Sequence, residues 1–360
     1  MINNDNREDK IRMTLARVSP TAAQTRAAIA RDRWGRPLIE TPTGKIQAYT
    51  RASTLGKALE DGTGLTKWLQ RMAVIGVASR KDLVLAANAH RDDKDKISEI
   101  VEQGMQAAES SAAATTGTAL HELCDQYDHG QTPYVPDEFA DDVQAYLAAT
   151  ESLQVVVAEE FAVCDTLSVG GTPDRVYRLS VPLTMPGGQA LPAGTLVIGD
   201  IKTGKSLDFG HIGYSVQMAA YSRSRRYSLA AGRTRAYGRM GEIPVGDRTD
   251  WVDGEPVNQE WGLIVHVPSG QGRATLHPVD LFVGWELAQL SATVREWRKR
   301  KDIIGDPVRP TVDFHARCAA ASSLDELDAA YRQAVAANAW DDVLRQAFSR
   351  RKAQLLGGVA

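Results

Sequence analysis

Residues 194–206 read Gly-Thr-Leu-Val-Ile-Gly-Asp-Ile-Lys-Thr-Gly-Lys-Ser. The apolar body Leu196-Val197-Ile198 lies between turn-forming residues and predicts a short strand over 195–203. Side chains alternate along a strand, so Asp200 and Lys202 share one face while Ile201 enters a core from the other. Alone, an acid and a base at a strand end are ordinary surface residues. The flanking stretches give them weight.

Upstream lies Gly170-Gly171-Thr172-Pro173-Asp174-Arg175. Asp174 falls on a second predicted strand, 172–179, and two strands of one sheet bring Asp174 and Asp200 together. Neighbouring carboxylates repel unless a cation joins them. Oxygen donors favour Mg²⁺ or Mn²⁺ over zinc. An ammonium beside such an ion, here Lys202, orients a hydroxide or offsets charge on a pentavalent phosphate. Phosphodiester hydrolysis needs a polarised water, a Lewis acid and a stabilised leaving oxygen. Downstream, a helix over 214–227 carries Gln217 and Tyr221 four apart on one face, as phosphate contacts or as packing residues.

Residues 199–206 also satisfy G-x-x-x-x-G-K-[ST], the phosphate loop of NTPases. There a helix must start at the Lys-Ser end. Here Leu207-Asp208-Phe209-Gly210-His211-Ile212-Gly213 follows, and its two glycines delay a helix to about Tyr214. Asp200 puts a negative charge in a loop meant for anions. The strand Leu263–Val267 runs into Pro268 rather than a magnesium-binding Asp. No nucleotide cofactor is expected.

These residues resemble the PD-(D/E)xK nuclease superfamily, in particular its RecB-like exonucleases, many carried by bacteriophages. Gly117-Thr118-Ala119-Leu120-His121 is similar to the family's first motif, whose histidine can join the metal site. Glu159, ahead of Phe161, is similar to an acidic position on the preceding strand. Asp174 matches the second-motif aspartate, and Asp200-Ile201-Lys202 matches D/E-x-K with Asp for the commoner Glu. Gln217 and Tyr221 match the Q-x-x-x-Y helix of the RecB-like branch. The matches cover roughly 115–225, with weaker similarity over 33–300.

The resemblance implies an α/β (α+β) fold with a restriction-endonuclease-like core: a central mixed β-sheet flanked by helices, with helical additions at both ends. It implies Asp174, Asp200 and Lys202 as catalytic residues. Mg²⁺ or Mn²⁺ is then held by His121, Asp174, Asp200 and the Ile201 carbonyl, with Glu159 as a further ligand. It implies linear double-stranded DNA with a free end as substrate, in phage recombination or DNA processing, and a single-strand annealing protein as a partner. Monomer and ring both occur in the family. Its iron–sulphur members need four cysteines. This chain has three, Cys124, Cys164 and Cys318, so no such cluster is expected. A non-catalytic DNA-binding or scaffolding module of the same fold is the alternative.

Further substrate contacts come from the arginines. Arg175 adjoins Asp174. Arg223, Arg225, Arg226, Arg233, Arg235 and Arg239 form a basic stretch with no acid between Arg223 and Arg239, as a phosphate-tracking surface requires. Arg223 and Arg226 are its leading candidates. The stretch 49–54 resembles a recurrent opening of such phage nucleases, with Arg51 as a phosphate contact or a solvent-facing residue at a helix start.

The chain has 360 residues, 43% of them apolar, which suits a sizeable core and two to three domains. Its net charge of −3 means any attraction to DNA is local. Scattered cysteines and the lack of an apolar 18-mer predict a reducing, soluble compartment without membrane, the bacterial cytoplasm if phage-encoded. The N-terminus lacks the basic and apolar regions of a signal peptide.

Residues 1–48 read as a flexible arm and connector, disordered over 1–10, helical over 21–32 and a connector or small hairpin over 32–49. Residues 49–305 form the main domain: a helical part, 49–152, and a sheet core, 153–305. The helical part has helices over 64–89, 97–126 and 137–151, and His121 shares a face with Cys124. The core adds a strand over 153–163, a hairpin over 260–267 and 273–278, and a helix over 280–300. Past Pro307 and Pro310, residues 306–360 form a helical hairpin over 322–336 and 339–354, with Ser323 capping the first helix.

Overall fold

The computed structural model describes residues 29–108, 112–305 and 312–357. The expectations for 1–10 and for most of 21–32 lie outside them. Two compact units divide the chain, residues 1–299 and 300–360.

In chain order the first unit holds β1 (Leu38–Glu40), β2 (Ile46–Ala48), β3 (Thr50–Arg51) and α1 (Ala52–Gly56). Then come α2 (Thr63–Ser79), α3 (Lys81–Ala89), α4 (Lys94–Ala107), α5 (Ala112–Asp128) and α6 (Asp137–Ala149). The strands β4 (Leu153–Ala158), β5 (Ala162–Cys164), β6 (Val169–Gly171), β7 (Arg175–Leu179), β8 (Leu183–Thr184), β9 (Ala190–Leu191) and β10 (Leu196–Lys202) follow. The unit ends with α7 (His211–Ser222), β11 (Arg225–Ala236), β12 (Glu242–Thr249), β13 (Trp261–His266), β14 (Thr275–Asp280) and α8 (Leu281–Trp297).

This is a mixed α/β fold whose central mixed sheets are flanked by helices. One five-stranded sheet runs β14-β13-β10-β7-β4. β10 pairs β13 in parallel, and the other pairs are antiparallel. Alternation along β10 divides its side chains between two cores. Leu196 and Ile198 join the core containing Val216, Ala219 and Ala220 of α7 and Leu281 and Ala288 of α8. Val197 and Ile201 join the core of Leu120, Leu123, Phe139, Val143 and Tyr146 from α5 and α6. The sheet is therefore sandwiched between helix pairs, which is why its inner strands β10 and β13 are buried on both faces. Asp142 of α6, almost wholly buried, accepts the amides of Gly270, Gln271 and Gly272 at 2.6–3.1 Å and anchors the β13–β14 turn.

A second five-stranded sheet runs β12-β11-β5-β6-β3. Here the structure departs from the predicted helix over 214–227. α7 ends at Ser222, and Arg225–Ala236 forms β11. Tyr227 is fully buried and meets Phe161 edge-on, with ring centroids 6.4 Å apart, so packing overrides helical continuation. Residues 38–48 form the small antiparallel hairpin β1–β2, with Ile39 buried beside Tyr49 and Phe161. The helices α2, α3 and α4 pack on one another, with Gly76 and Gly104 in backbone contact.

In the second unit, α9 (Phe314–Ala320), α10 (Leu324–Ala336) and α11 (Asp342–Gly357) surround Phe314, Cys318, Leu327 and Leu344. Among the described residues, α10 and α11 fall where the hairpin is expected, and the short α9 precedes them. Ser323 Oγ caps α10 by accepting the Glu326 amide at 3.2 Å. Among the described residues no helix is long and apolar enough to cross a membrane.

Candidate functional site

The β7–β10 ladder ends at the pair Arg175 and Gly199, so Asp174 and Asp200 stand opposite each other one step beyond it. Asp174 Oδ2 accepts the Ile201 amide at 2.9 Å and lies 3.1 Å from His121 Nε2. A close approach of α5 to the strand end allows this. Gly117, one turn before His121, has no side chain where a Cβ would sit 2.7 Å from Thr203 Oγ1. A cleft of about 600 Å³ opens here, lined by Gly117, His121, Asp125, Glu159, Asp174 and Thr203 among others.

As the alternation predicts, Asp200 and Lys202 share a face opposite Ile201. Asp200 is only 3% exposed and pairs with the Lys202 ammonium. Lys202 Nζ also stands 4.8 Å from the centroid of the Tyr214 ring. Burial and the Asp174 charge push the Asp200 carboxyl above the ordinary range, against the pull of Lys202. Burial likewise works against Asp174, but His121, Lys202 and the Ile201 amide overcome it and hold its carboxyl low. Burial disfavours charge on His121, yet its bonds to Asp125 and Asp174 outweigh this and raise it to about 10. Burial opposes charge on Lys202 too, and Asp200 and Asp174 keep it cationic.

The remaining expected site residues fall in different settings. Glu159 lines the cleft with φ of +50°, a left-handed conformation that costs a non-glycine residue about 1 kcal/mol or more. Its amide donates to the Asp174 carbonyl at 3.1 Å. Gln217 is half-buried on α7, with no hydrogen-bond partner among the described residues. Tyr221 is buried against Gly171, where a Cβ would stand 2.5 Å from its hydroxyl. Arg51 is exposed at the end of β3 and has no ion pair among the described residues.

Arg175 requires a correction. It is 0% exposed, pairs with Asp125 and donates to Asp128 at 2.6 Å and to the Asp174 carbonyl at 2.6 Å. A guanidinium so enclosed contacts no substrate. The basic stretch is also largely neutralised from within. Arg226 makes two 2.8 Å bonds to Glu160, while Arg233 pairs with Glu40 and Asp247 and Arg235 with Glu40. Arg223 lies over the Trp285 ring at 4.7 Å and is half-buried. Cys124 is buried in the α5–α6 core, away from the cleft that His121 lines. The i+4 residue Asp125, rather than Cys124, is the partner of His121, and the spacing His-x-x-x-Asp was its sequence signal.

The phosphate-loop geometry is missing. β10 gives way to bends over 203–210, and α7 starts only at His211. Among the described residues no three His, Cys, Asp or Glu side chains are arranged to hold a metal ion. The positions a cation would take beside Asp174 and Asp200 are covered by His121 and Lys202. The cleft lining offers carboxylates and an imidazole, donor types that a divalent cation accepts. Compared with known proteins, the chain matches no family profile and no curated protein.

Proposed function

We propose that the chain is a Mg²⁺- or Mn²⁺-dependent deoxyribonuclease with a restriction-endonuclease-like core. One observation carries the reading: Asp200, buried and paired with Lys202 two residues along the same strand face, stands opposite a second carboxylate. A buried like-charge pair is costly unless a cation joins it. Asp174, Asp200 and the Ile201 carbonyl would hold the ion, with His121 and Glu159 at the cleft wall. The bound ion supplies Lewis-acid polarisation of the phosphate and acidification of water.

The chain's own residues do the rest. Lys202 orients the attacking water and offsets negative charge on the phosphate. His121 and Lys202 serve as counter-charges for Asp174 and Asp200, contacts that a bound cation would replace. Gln217 offers an unused amide to a phosphate. Tyr221 acts indirectly, by packing against Gly171 at the end of β6 ahead of Asp174. Action on the ends of linear double-stranded DNA rests on the family resemblance alone.

The second reading is a DNA-binding module without turnover. The neutralisation of both carboxylates by His121 and Lys202 favours it. End-labelled linear and circular DNA incubated with Mg²⁺, Mn²⁺ or EDTA separates the two, with Asp174→Ala, Asp200→Ala and Lys202→Ala alongside. Metal-dependent loss of the linear substrate only, abolished in all three variants, is the expected result. Cutting of circles keeps the chemistry and changes the role to endonuclease. Folded protein that binds DNA but cuts none sinks the hydrolase reading.

A further inference from the structure

A second carboxylate holds His121 from behind. Asp125 Oδ2, one helical turn along α5, lies 3.1 Å from His121 Nδ1, the nitrogen opposite the one that faces Asp174. Asp125 Oδ1 pairs with Arg175 Nη2, and Arg175 Nη1 donates to the Asp174 carbonyl at 2.6 Å. His121, Asp125, Arg175 and Asp174 thus close a ring of polar contacts. Arg175 cannot turn within it. Its Nε donates to Asp128 Oδ2 at 2.6 Å, and the same oxygen accepts from Tyr146 Oη at 2.5 Å.

An imidazole held at one nitrogen can still swing about its Cβ–Cγ bond. Bonds at both nitrogens fix the ring plane. A carboxylate behind a ligating histidine also raises its basicity, and losing such a partner typically costs about 10–100-fold in metal affinity or activity.

We propose that Asp125, braced by Arg175, is a positioning residue that fixes the His121 ring with Nε2 toward Asp174 and the cleft, ready to serve a divalent cation there. The cation half of this inference rests on the nuclease reading. The orientation of the ring does not.

Two measurements test the halves separately. In metal-free protein labelled with ¹⁵N-histidine, the His121 ring signals are assigned by their disappearance in His121→Gln. Asp125→Asn is expected to shift or broaden the His121 Nδ1 signal. Asp128→Asn removes a carboxylate from the same arginine but not from the histidine, and is expected to leave that signal in place. An unchanged signal in Asp125→Asn, or equal changes in both variants, overturns the proposal in favour of a merely structural ion pair.

Mn²⁺ binding is then measured by electron paramagnetic resonance of the free ion. Asp125→Asn is expected to bind about 10–100-fold more weakly than wild type, and to add little in the His121→Gln background, since both changes remove one unit. Losses that add in full overturn the positioning role. A wild type that binds no Mn²⁺ refutes the nuclease reading in the wild-type arm alone, while the histidine spectra still decide the ring-holding.

Discussion

Asp174 stands across from Asp200 where the β7–β10 ladder ends, and the protein drives their two carboxyls to opposite acid strengths. Asp174 is held low by His121, Lys202 and the Ile201 amide, while Asp200 is pushed up by burial and by Asp174 itself. Of two carboxyls so divided, Asp174 is the stronger acid and Asp200 the weaker.

Gln217 has a half-buried amide with no partner among the described residues. A hydrogen bond to a charged phosphate contributes about 1.5–3 kcal/mol, so Gln217→Ala is expected to lower DNA cleavage about 10–100-fold. The melting temperature should stay near that of wild type. Normal cleavage with early melting would make Gln217 a packing residue.

Arg175 and Arg51 are expected to behave oppositely. Arg175→Ala leaves Asp125 and Asp128 facing an empty buried site, a loss of about 3–5 kcal/mol for breaking a buried pair. Thermal or urea unfolding reads this directly. Arg51→Ala removes an exposed cation and should leave stability within about 0.5 kcal/mol. If Arg51 contacts a phosphate, the variant weakens DNA binding and flattens its salt dependence by about one ion.

Gly171→Ala places a methyl 2.5 Å from the Tyr221 hydroxyl. Overpacking of this kind costs about 1–3 kcal/mol. Tyr221→Phe removes the nearest clashing atom, so the double variant should lose less than the sum of the single losses. Strict additivity in unfolding would show that β6 moves away from the helix instead.

Asp165 sets part of the acid limit of the fold. Burial would raise its carboxyl, but Arg248, Tyr49 and the charge of Arg225 outweigh this and lower it. Arg248 Nε donates at 2.6 Å and Tyr49 Oη at 2.6 Å. A folded carboxyl that is a stronger acid than its unfolded counterpart stabilises fully above the unfolded value, about 3.9. That contribution fades as the pH falls through the lower folded value. Asp165→Asn is therefore expected to melt below wild type at pH 7, and the gap should narrow below about pH 4. A gap that stays constant with pH would assign the loss to packing.

Much of the sheet was legible because its signals are local. The run Leu196-Val197-Ile198 and the turn residues around it predict β10, and alternation alone puts Asp200 and Lys202 on one face. The β13–β14 hairpin follows from two apolar runs joined by Pro268-Ser269-Gly270-Gln271-Gly272. The second sheet was not legible, since β3, β5 and β6 have only two or three residues each, too few for a period. α9, with seven residues, escaped for the same reason. β11 was read as helix because nothing local to Arg225 announces Phe161 as the partner of Tyr227.

The arginines mark the limit of sequence reading most sharply. From Arg223 to Arg239 no acid interrupts them, yet Arg226, Arg233 and Arg235 meet Glu160 and Glu40, carboxylates far away in sequence. Charge in a sequence is counted along the chain, whereas charge in a fold is neutralised across space.

The sequence by itself determined part of the local geometry of the candidate site: a strand carrying Asp200 and Lys202 on one face and a helix bearing Gln217 and Tyr221, whereas the expected glycine turn before Asp174 is the strand β6. Covalent geometry sets these, through the two-residue repeat of a strand and the 3.6-residue repeat of a helix. Only the tertiary structure decided that Asp174 faces Asp200, that Arg175 is sealed between Asp125 and Asp128, and that His121 is gripped from both sides. Apart from the His121–Asp125 contact within one helical turn, those relations join segments far apart in the chain. They exist because burying two apolar sheet faces fixes the helices against the strands, and the polar groups carried inward then pair with whatever the packing brings within reach.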